Sequence, residues 1–179
     1  CENRNSEFTH VYLIAVQEKR EREKKRERER EEGREKEKRG GRSQGGGPMA
    51  IVLAPTRELA QQIEKETKAF SQAIDKRRFK TTIVVGGSSM NEQRGDLRNG
   101  VECVVATPGR LIDHIHQNNT NLRRASFLVL DEADRMLDMG FELDIRSIVE
   151  SAPEGRQSLL FSATFPPAVK ALAAKFCYR

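Results

Sequence analysis

Residues 126–134 read Ser126, Phe127, Leu128, Val129, Leu130, Asp131, Glu132, Ala133, Asp134: an apolar run of strand length that ends in three acids within four positions. A strand that is apolar at every position, rather than at every second one, belongs to a sheet covered on both faces. Four other short, mainly apolar runs flank it, at residues 50–54, 81–85, 102–106 and 157–161. Between them lie segments with apolar residues at helical spacing: Leu59, Ile63, Phe70 and Ile74 in one, Leu111, Ile112 and Ile115 in another. Strict alternation of strand and helix predicts a parallel sheet, so the expected fold class is α/β, a doubly wound, mostly parallel sheet.

Such sheets bind ligands at the carboxyl ends of their strands, which is where Asp131, Glu132 and Asp134 stand. An apolar strand that delivers an acid there, with a second acid beside it, suits nucleotide hydrolysis. Asp131 would hold Mg²⁺ through water, and Glu132 would orient and deprotonate an attacking water. The ordinary use for the same acids is negative charge at the start of a helix.

The other strand ends carry residues of matching character. After the first come Pro55, Thr56 and Arg57, followed by Glu58. Thr56 and Glu58 suit a helix start, whereas Arg57 suits an anionic phosphate or plain solvent. The second strand ends in Gly86 and Gly87, which fit a tight turn or the close approach of a phosphate backbone. The third ends in Thr107, Pro108, Gly109 and Arg110, with Thr107 placed to cap a helix and Pro108 in its first turn. The fifth ends in Ser162, Ala163 and Thr164, whose hydroxyls could cap a helix or reach Asp134 across the neighbouring strand end. His114 and His116 are two apart on a helix, so they face different sides and make no metal pair. Cys103, inside a strand, reads as core.

A chain of 179 residues fits one domain, but its first quarter has a different composition. Residues 18–39 hold twelve Lys or Arg and nine Glu, with favourable pairs such as Glu18 with Arg22 and Glu32 with Lys36. That run cannot enter a core and reads as a solvated helix or a disordered spacer; its nearly balanced charge argues against an RNA-binding arm. Residues 40–48, with five Gly and one Pro, read as a linker. The expected division is therefore a charged extension at 1–46 and a globular part at 47–179. The net charge of +5 is a mild basic excess, compatible with phosphate contacts but weak evidence for them. Three cysteines without a CxxC pair suit a reducing, intracellular location. The apolar run at 11–16 is too short to span a bilayer, so no membrane segment is expected.

Taken in order, residues 55–60, Gly86 with Gly87, residues 107–110, Asp131 to Asp134 and residues 162–164 resemble the successive motifs of DEAD-box ATP-dependent RNA helicases. The resemblance runs from about residue 47 to 176 and includes Arg135, Met136, Leu137, Asp138, Met139, Gly140 and Phe141. It implies an incomplete first RecA-like domain of an enzyme that uses ATP and Mg²⁺ to bind and unwind RNA, in the nucleus or cytoplasm. Asp131 would be the metal ligand, Glu132 the catalytic base, and Asp131 with Asp134 the nucleotide-side acids. Ser162, Ala163 and Thr164 would couple nucleotide state to strand separation. Pro55, Thr56, Arg57, Gly86, Gly87, Thr107, Pro108, Gly109 and Arg110 would hold one RNA strand by its sugar-phosphate backbone, with little regard to sequence.

The departures matter as much. The family places a glutamine-containing adenine motif and a GxxxxGK[ST] loop before the first strand; neither occurs in these 179 residues, and no Gly-Lys pair occurs anywhere in them. A chain that starts at Cys1 and stops near the family's linker to a second RecA-like domain reads as a fragment, with residues 1–46 stemming from a misjoined exon or translated intron. On its own it is expected to be inactive. The alternative is a non-catalytic RNA-binding or regulatory module on a degenerate RecA-like fold. Without the strand that leads into the missing loop, residues 159–161 should border a gap and form an apolar sheet edge, unless residues 11–16 cover it.

Overall fold

The computed structural model describes residues 47–75 and 79–177, without the side chains of 72–75. Five strands, β1 (Ala50–Leu53), β2 (Thr81–Val84), β3 (Cys103–Ala106), β4 (Phe127–Leu130) and β5 (Gln157–Leu160), begin and end within one residue of the expected runs. Among the described residues six helices follow or connect them: α1 (Arg57–Asp75), α2 (Met90–Arg98), α3 (Pro108–His116), α4 (Ala133–Asp138), α5 (Glu142–Ser151) and α6 (Pro167–Phe176), with α4 and α5 both between β4 and β5.

All strand pairs are parallel, in the order β2-β3-β1-β4-β5. Leu53 pairs with both Ala106 and Leu130, Val84 with Ala106, and Leu130 with Leu160. The five strands therefore end level with one another, and the segments that follow them share one edge.

Strands β1, β3 and β4 are buried at every position, which is why their sequences do not alternate. The chain moves one way along the sheet from β1 to β2 and the other way from β2 to β3, so right-handed crossovers put α1 on one face and α2 and α3 on the other. The main core fits this arrangement. Ile51, Leu53, Val104, Ala106, Leu128 and Leu130 pack with Leu97, Leu111, Ile145 and Ile148, and no described side chain of α1 belongs to that cluster.

On α1 the expected apolar face is only partly apolar. Leu59 is buried, Ile63 and Phe70 are half-buried, and Ile74 lies outside the described side chains. Thr67 and Ser71 are buried with them, and each hydroxyl donates to a carbonyl of the same helix, Ile63 at 2.8 Å and Lys68 at 2.9 Å. Such back-bonding lets a small polar residue sit on a packed face.

Among the described residues β5 is an edge strand. Gln157 is exposed and Ser158, Leu159 and Leu160 are half-buried, in contrast to fully buried β4. The expectations for the charged run at 18–39 and for residues 11–16 fall outside the described residues. Cys103 is buried in β3 as expected, and no helix among the described residues is long and apolar enough to cross a membrane.

Candidate functional site

The acids sit where β4 turns into α4. The Asp131 N–H donates to the Leu53 carbonyl at 3.0 Å, extending the β1–β4 ladder beyond the strand end, and Asp131 Oδ1 accepts from the Glu132 N–H at 3.0 Å. Burial pushes the Asp131 carboxyl above its ordinary range; the Glu132 N–H opposes this and the Glu132 charge adds to it. Glu132 itself is in the left-handed region, at φ 52° and ψ 52°, a conformation that costs a residue with a side chain on the order of 1–3 kcal/mol. Its Oε2 pairs with Arg135 Nη1 at 3.1 Å.

Neither of these two acids caps the helix: α4 begins at Ala133, and the Glu132 side chain makes no capping bond. The cap comes from the residues just after β5. The Asp134 N–H donates to Ser162 Oγ at 3.1 Å, and the Ala133 N–H donates to the Phe161 carbonyl at 2.9 Å. In return Asp134 Oδ2 accepts from both the N–H and the hydroxyl of Thr164, at 2.9 and 2.7 Å, while Ser162 Oγ donates to the Thr164 carbonyl at 2.7 Å. The Thr164 hydroxyl is the chief reason that the Asp134 carboxyl lies below its ordinary range. The two roles open to the Ser162 and Thr164 hydroxyls are thus both filled.

Two of the next strand ends along the edge are each followed by an arginine, Arg57 after β1 and Arg110 after β3. Thr56 caps α1, its Oγ accepting from the Leu59 N–H at 3.3 Å. Gly87 has φ 75°, and a Cβ there would stand 2.9 Å from Nη1 of Arg57, so the guanidinium lies across the glycine. Arg110 points Nη1 at the sulfur of Met90, 3.6 Å away, and Met90 starts the helix that follows the Gly86–Gly87 turn. Thr107 departs from expectation. It holds the N-cap position of α3 in an extended conformation, but its hydroxyl makes no capping bond; Pro108, buried at the first position, sets the helix start through its fixed φ.

Beneath this surface is a polar chain that apolar periodicity could not reveal, because it is made of Gln93, His114 and Asn119, all three of them buried. Histidine spacing put His114 and His116 on different sides, and in the structure His116 is exposed while His114 is not.

Among the described residues no three His, Cys, Asp or Glu gather in a group able to hold a metal ion. Asp131 is a single carboxylate, half-buried and raised in pKa. It fits hydrated Mg²⁺, which keeps most of its waters and takes further ligands from nucleotide phosphates.

The raised Asp131 pKa has a consequence for stability. An acid whose folded-state pKa exceeds its unfolded value favours folding while protonated, and that advantage is lost as pH rises through the folded pKa. At pH 7 the buried charge therefore works against the fold. Asp131→Asn keeps an oxygen for the Glu132 N–H and removes the charge, so it should melt a few degrees higher than the parent at pH 7. The gap should close as pH falls through the carboxylate range. A lower melting temperature at pH 7 would contradict this.

The family model described as DEAD/DEAH box helicase matches residues 9–172, starting within the segment expected to stand apart as an extension. "DEAD-box ATP-dependent RNA helicase 20" of Arabidopsis thaliana is 54% identical over 136 residues, which are 76% of this chain and 26% of that protein. "Probable ATP-dependent RNA helicase ddx17" of Dictyostelium discoideum is 55% identical over 130 residues, 73% of this chain and 16% of that one. The chain thus spans about a quarter or less of these relatives. Among solved structures, the yeast DEAD-box splicing factor Prp28 matches with a TM-score of 0.69 at 39% identity, covering 74% of this chain and 31% of the other. A DEAD box protein from Methanococcus jannaschii matches with 0.68 at 38% identity, covering 75% and 36%. A five-stranded parallel sheet with these acids at its edge, a family match over most of the sequence and relatives above 50% identity agree: the chain belongs to the DEAD/DEAH box helicase family.

Proposed function

We propose that the chain is part of an ATP-dependent RNA helicase, contributing acids to its nucleotide site and one wall of its RNA groove. The observation that carries this reading is the lie of the Arg57 guanidinium across Gly87, next to the contact of Arg110 with Met90. On this reading strand ends far apart in sequence present two arginines and a left-handed glycine to one bound strand.

On this reading Arg57 and Arg110 donate to phosphate oxygens, and Gly86 and Gly87 let the sugar-phosphate backbone come close to the sheet. The first-turn N–H groups of α3, which Thr107 does not cap, face the same anion; Pro55, Thr56, Pro108 and Gly109 shape the floor. These are backbone contacts, so sequence plays little part in binding.

Asp131 would hold Mg²⁺ together with the nucleotide phosphates, and the ion would supply positive charge for phosphoryl transfer. Glu132 would take a proton from the attacking water at Oε2, after parting from Arg135. Asp134 links the segment that carries these acids to Ser162 and Thr164, on either side of Ala163, so a shift at the nucleotide side would reach the exit of β5 through hydrogen bonds rather than loose packing.

Replacing both Arg57 and Arg110 by Ala should weaken binding of single-stranded oligouridylate and oligoadenylate by the same factor. The slope of log affinity against log salt should fall by about 1.4, the value for two lost phosphate contacts on a single strand. An unchanged affinity and slope would remove the two arginines from the groove.

A further inference from the structure

The buried polar chain below the groove has a defined direction. Gln93 Nε2 donates to the Val85 carbonyl at 2.9 Å, Gln93 Oε1 lies 3.1 Å from His114 Nε2, and Asn119 Nδ2 lies 3.2 Å from His114 Nδ1. His114 is fully buried, and Gln93 and Asn119 are 5% and 6% exposed. The Gln93 amide nitrogen is already engaged as a donor, so its oxygen must accept; His114 therefore carries its proton on Nε2, and Nδ1 accepts from Asn119. Burial, with the charge of Arg110, holds the ring below the ordinary histidine pKa against the opposing pull of Asp113. The neutral ring is the form this arrangement requires.

The partners lie on separate elements. Val85 directly precedes Gly86 and Gly87; Gln93 is on α2; His114 is on α3, one turn beyond Arg110; and Asn119 follows α3. Helices α2 and α3 thus touch twice, at Met90–Arg110 on the surface and at Gln93–His114 below it. Apolar packing tolerates small slides, whereas a hydrogen bond fixes both distance and direction.

We propose that His114 is a positioning residue for RNA-backbone binding, holding the Gly86–Gly87 turn and the start of α3 at a fixed separation through Gln93 and the Val85 carbonyl. This rests on the reading of that edge as an RNA groove. His114 itself touches no RNA; it acts on Gly86, Gly87 and Arg110 from behind.

The test uses the 1–179 chain in three measurements. In the parent, imidazole ¹⁵N shifts at neutral pH should report His114 as the neutral Nε2–H tautomer; an Nδ1–H or doubly protonated ring overturns the tie. His114→Phe puts a somewhat larger apolar ring in place of the imidazole and loses both bonds, and it should move the amide signals of Gly86 and Gly87. His114→Gln returns a donor to Gln93 and should restore them. Affinity for single-stranded oligouridylate, measured below the melt of each variant, should drop roughly tenfold in His114→Phe and recover in His114→Gln. Should His114→Phe not fold, the parent tautomer and the retained signals and affinity of His114→Gln carry the test. Signal changes confined to α3, with affinity unchanged in folded His114→Phe, would make His114 a core residue only and overturn the proposal. If the parent binds no oligouridylate, the RNA reading fails and the positioning role falls with it, while the Gly86 and Gly87 signals separately decide whether the tie exists.

Discussion

Residues 1–179, incubated with Mg²⁺, ATP and RNA, are expected to release no phosphate above background, although Asp131 and Glu132 are proposed as acids of an ATPase. Phosphoryl transfer depends almost wholly on positioning and on neutralising charge. A GxxxxGK[ST] loop supplies the N–H cradle, the lysine on the β and γ phosphates and the hydroxyl on Mg²⁺, and these 179 residues contain no such loop. Asp131 would have to hold the ion without phosphates fixed beside it, and one carboxylate binds hydrated Mg²⁺ weakly. The family resemblance assigns an arginine finger to a second domain, and removal of such a residue costs roughly 10³ to 10⁵ in rate. Both effects reduce the rate. Turnover above background that vanishes in Glu132→Gln would show that this residue works without the loop.

Leu128→Ala should be a severely damaging truncation of the sheet. Leu128 is fully buried on β4, paired with Ile51 on one side and Ser158 on the other. Cutting it back removes apolar contacts and leaves a hole in a close-packed core, at about 2–5 kcal/mol. Against a total stability of about 5–15 kcal/mol, the urea midpoint should fall steeply. Leu143→Ala is the control: Leu143 is 77% exposed on α5, and its loss should change stability by no more than about 0.5 kcal/mol. Equal effects at the two positions would mean that Leu128 is not part of a close-packed core.

Much of this was legible in residues 50–54, 102–106 and 126–130, because a strand buried on both faces has to be apolar throughout and such runs are easy to see. The shared edge followed from parallel pairing, and with it the nearness of the strand-end residues. Polar burial was not legible. Thr67 and Ser71 look like surface residues until their hydroxyls find helix carbonyls, and Gln93, His114 and Asn119 have no apolar period to betray them. The Thr107 cap failed because a β-region threonine ahead of proline meets the pattern for a cap without its hydroxyl making the bond. The left-handed backbone of Glu132 carries no sequence signal, since glutamate is an uncommon choice there. It was the alignment of Asp134 with Ser162 and Thr164 that spacing foreshadowed, since adjacent parallel strands end level.

The measurement that bears most directly on the carboxyl edge as an RNA groove is an amide ¹H–¹⁵N titration of the 1–179 chain with a short single-stranded oligouridylate. The signals of Arg57, Gly86, Gly87 and residues 107–110 are predicted to move together along one binding curve, with the sheet's other end silent. Shifts gathered instead at the cleft lined by Lys68, Lys80, Asp96 and Val101, with Arg57 and Gly87 unmoved, would contradict the account.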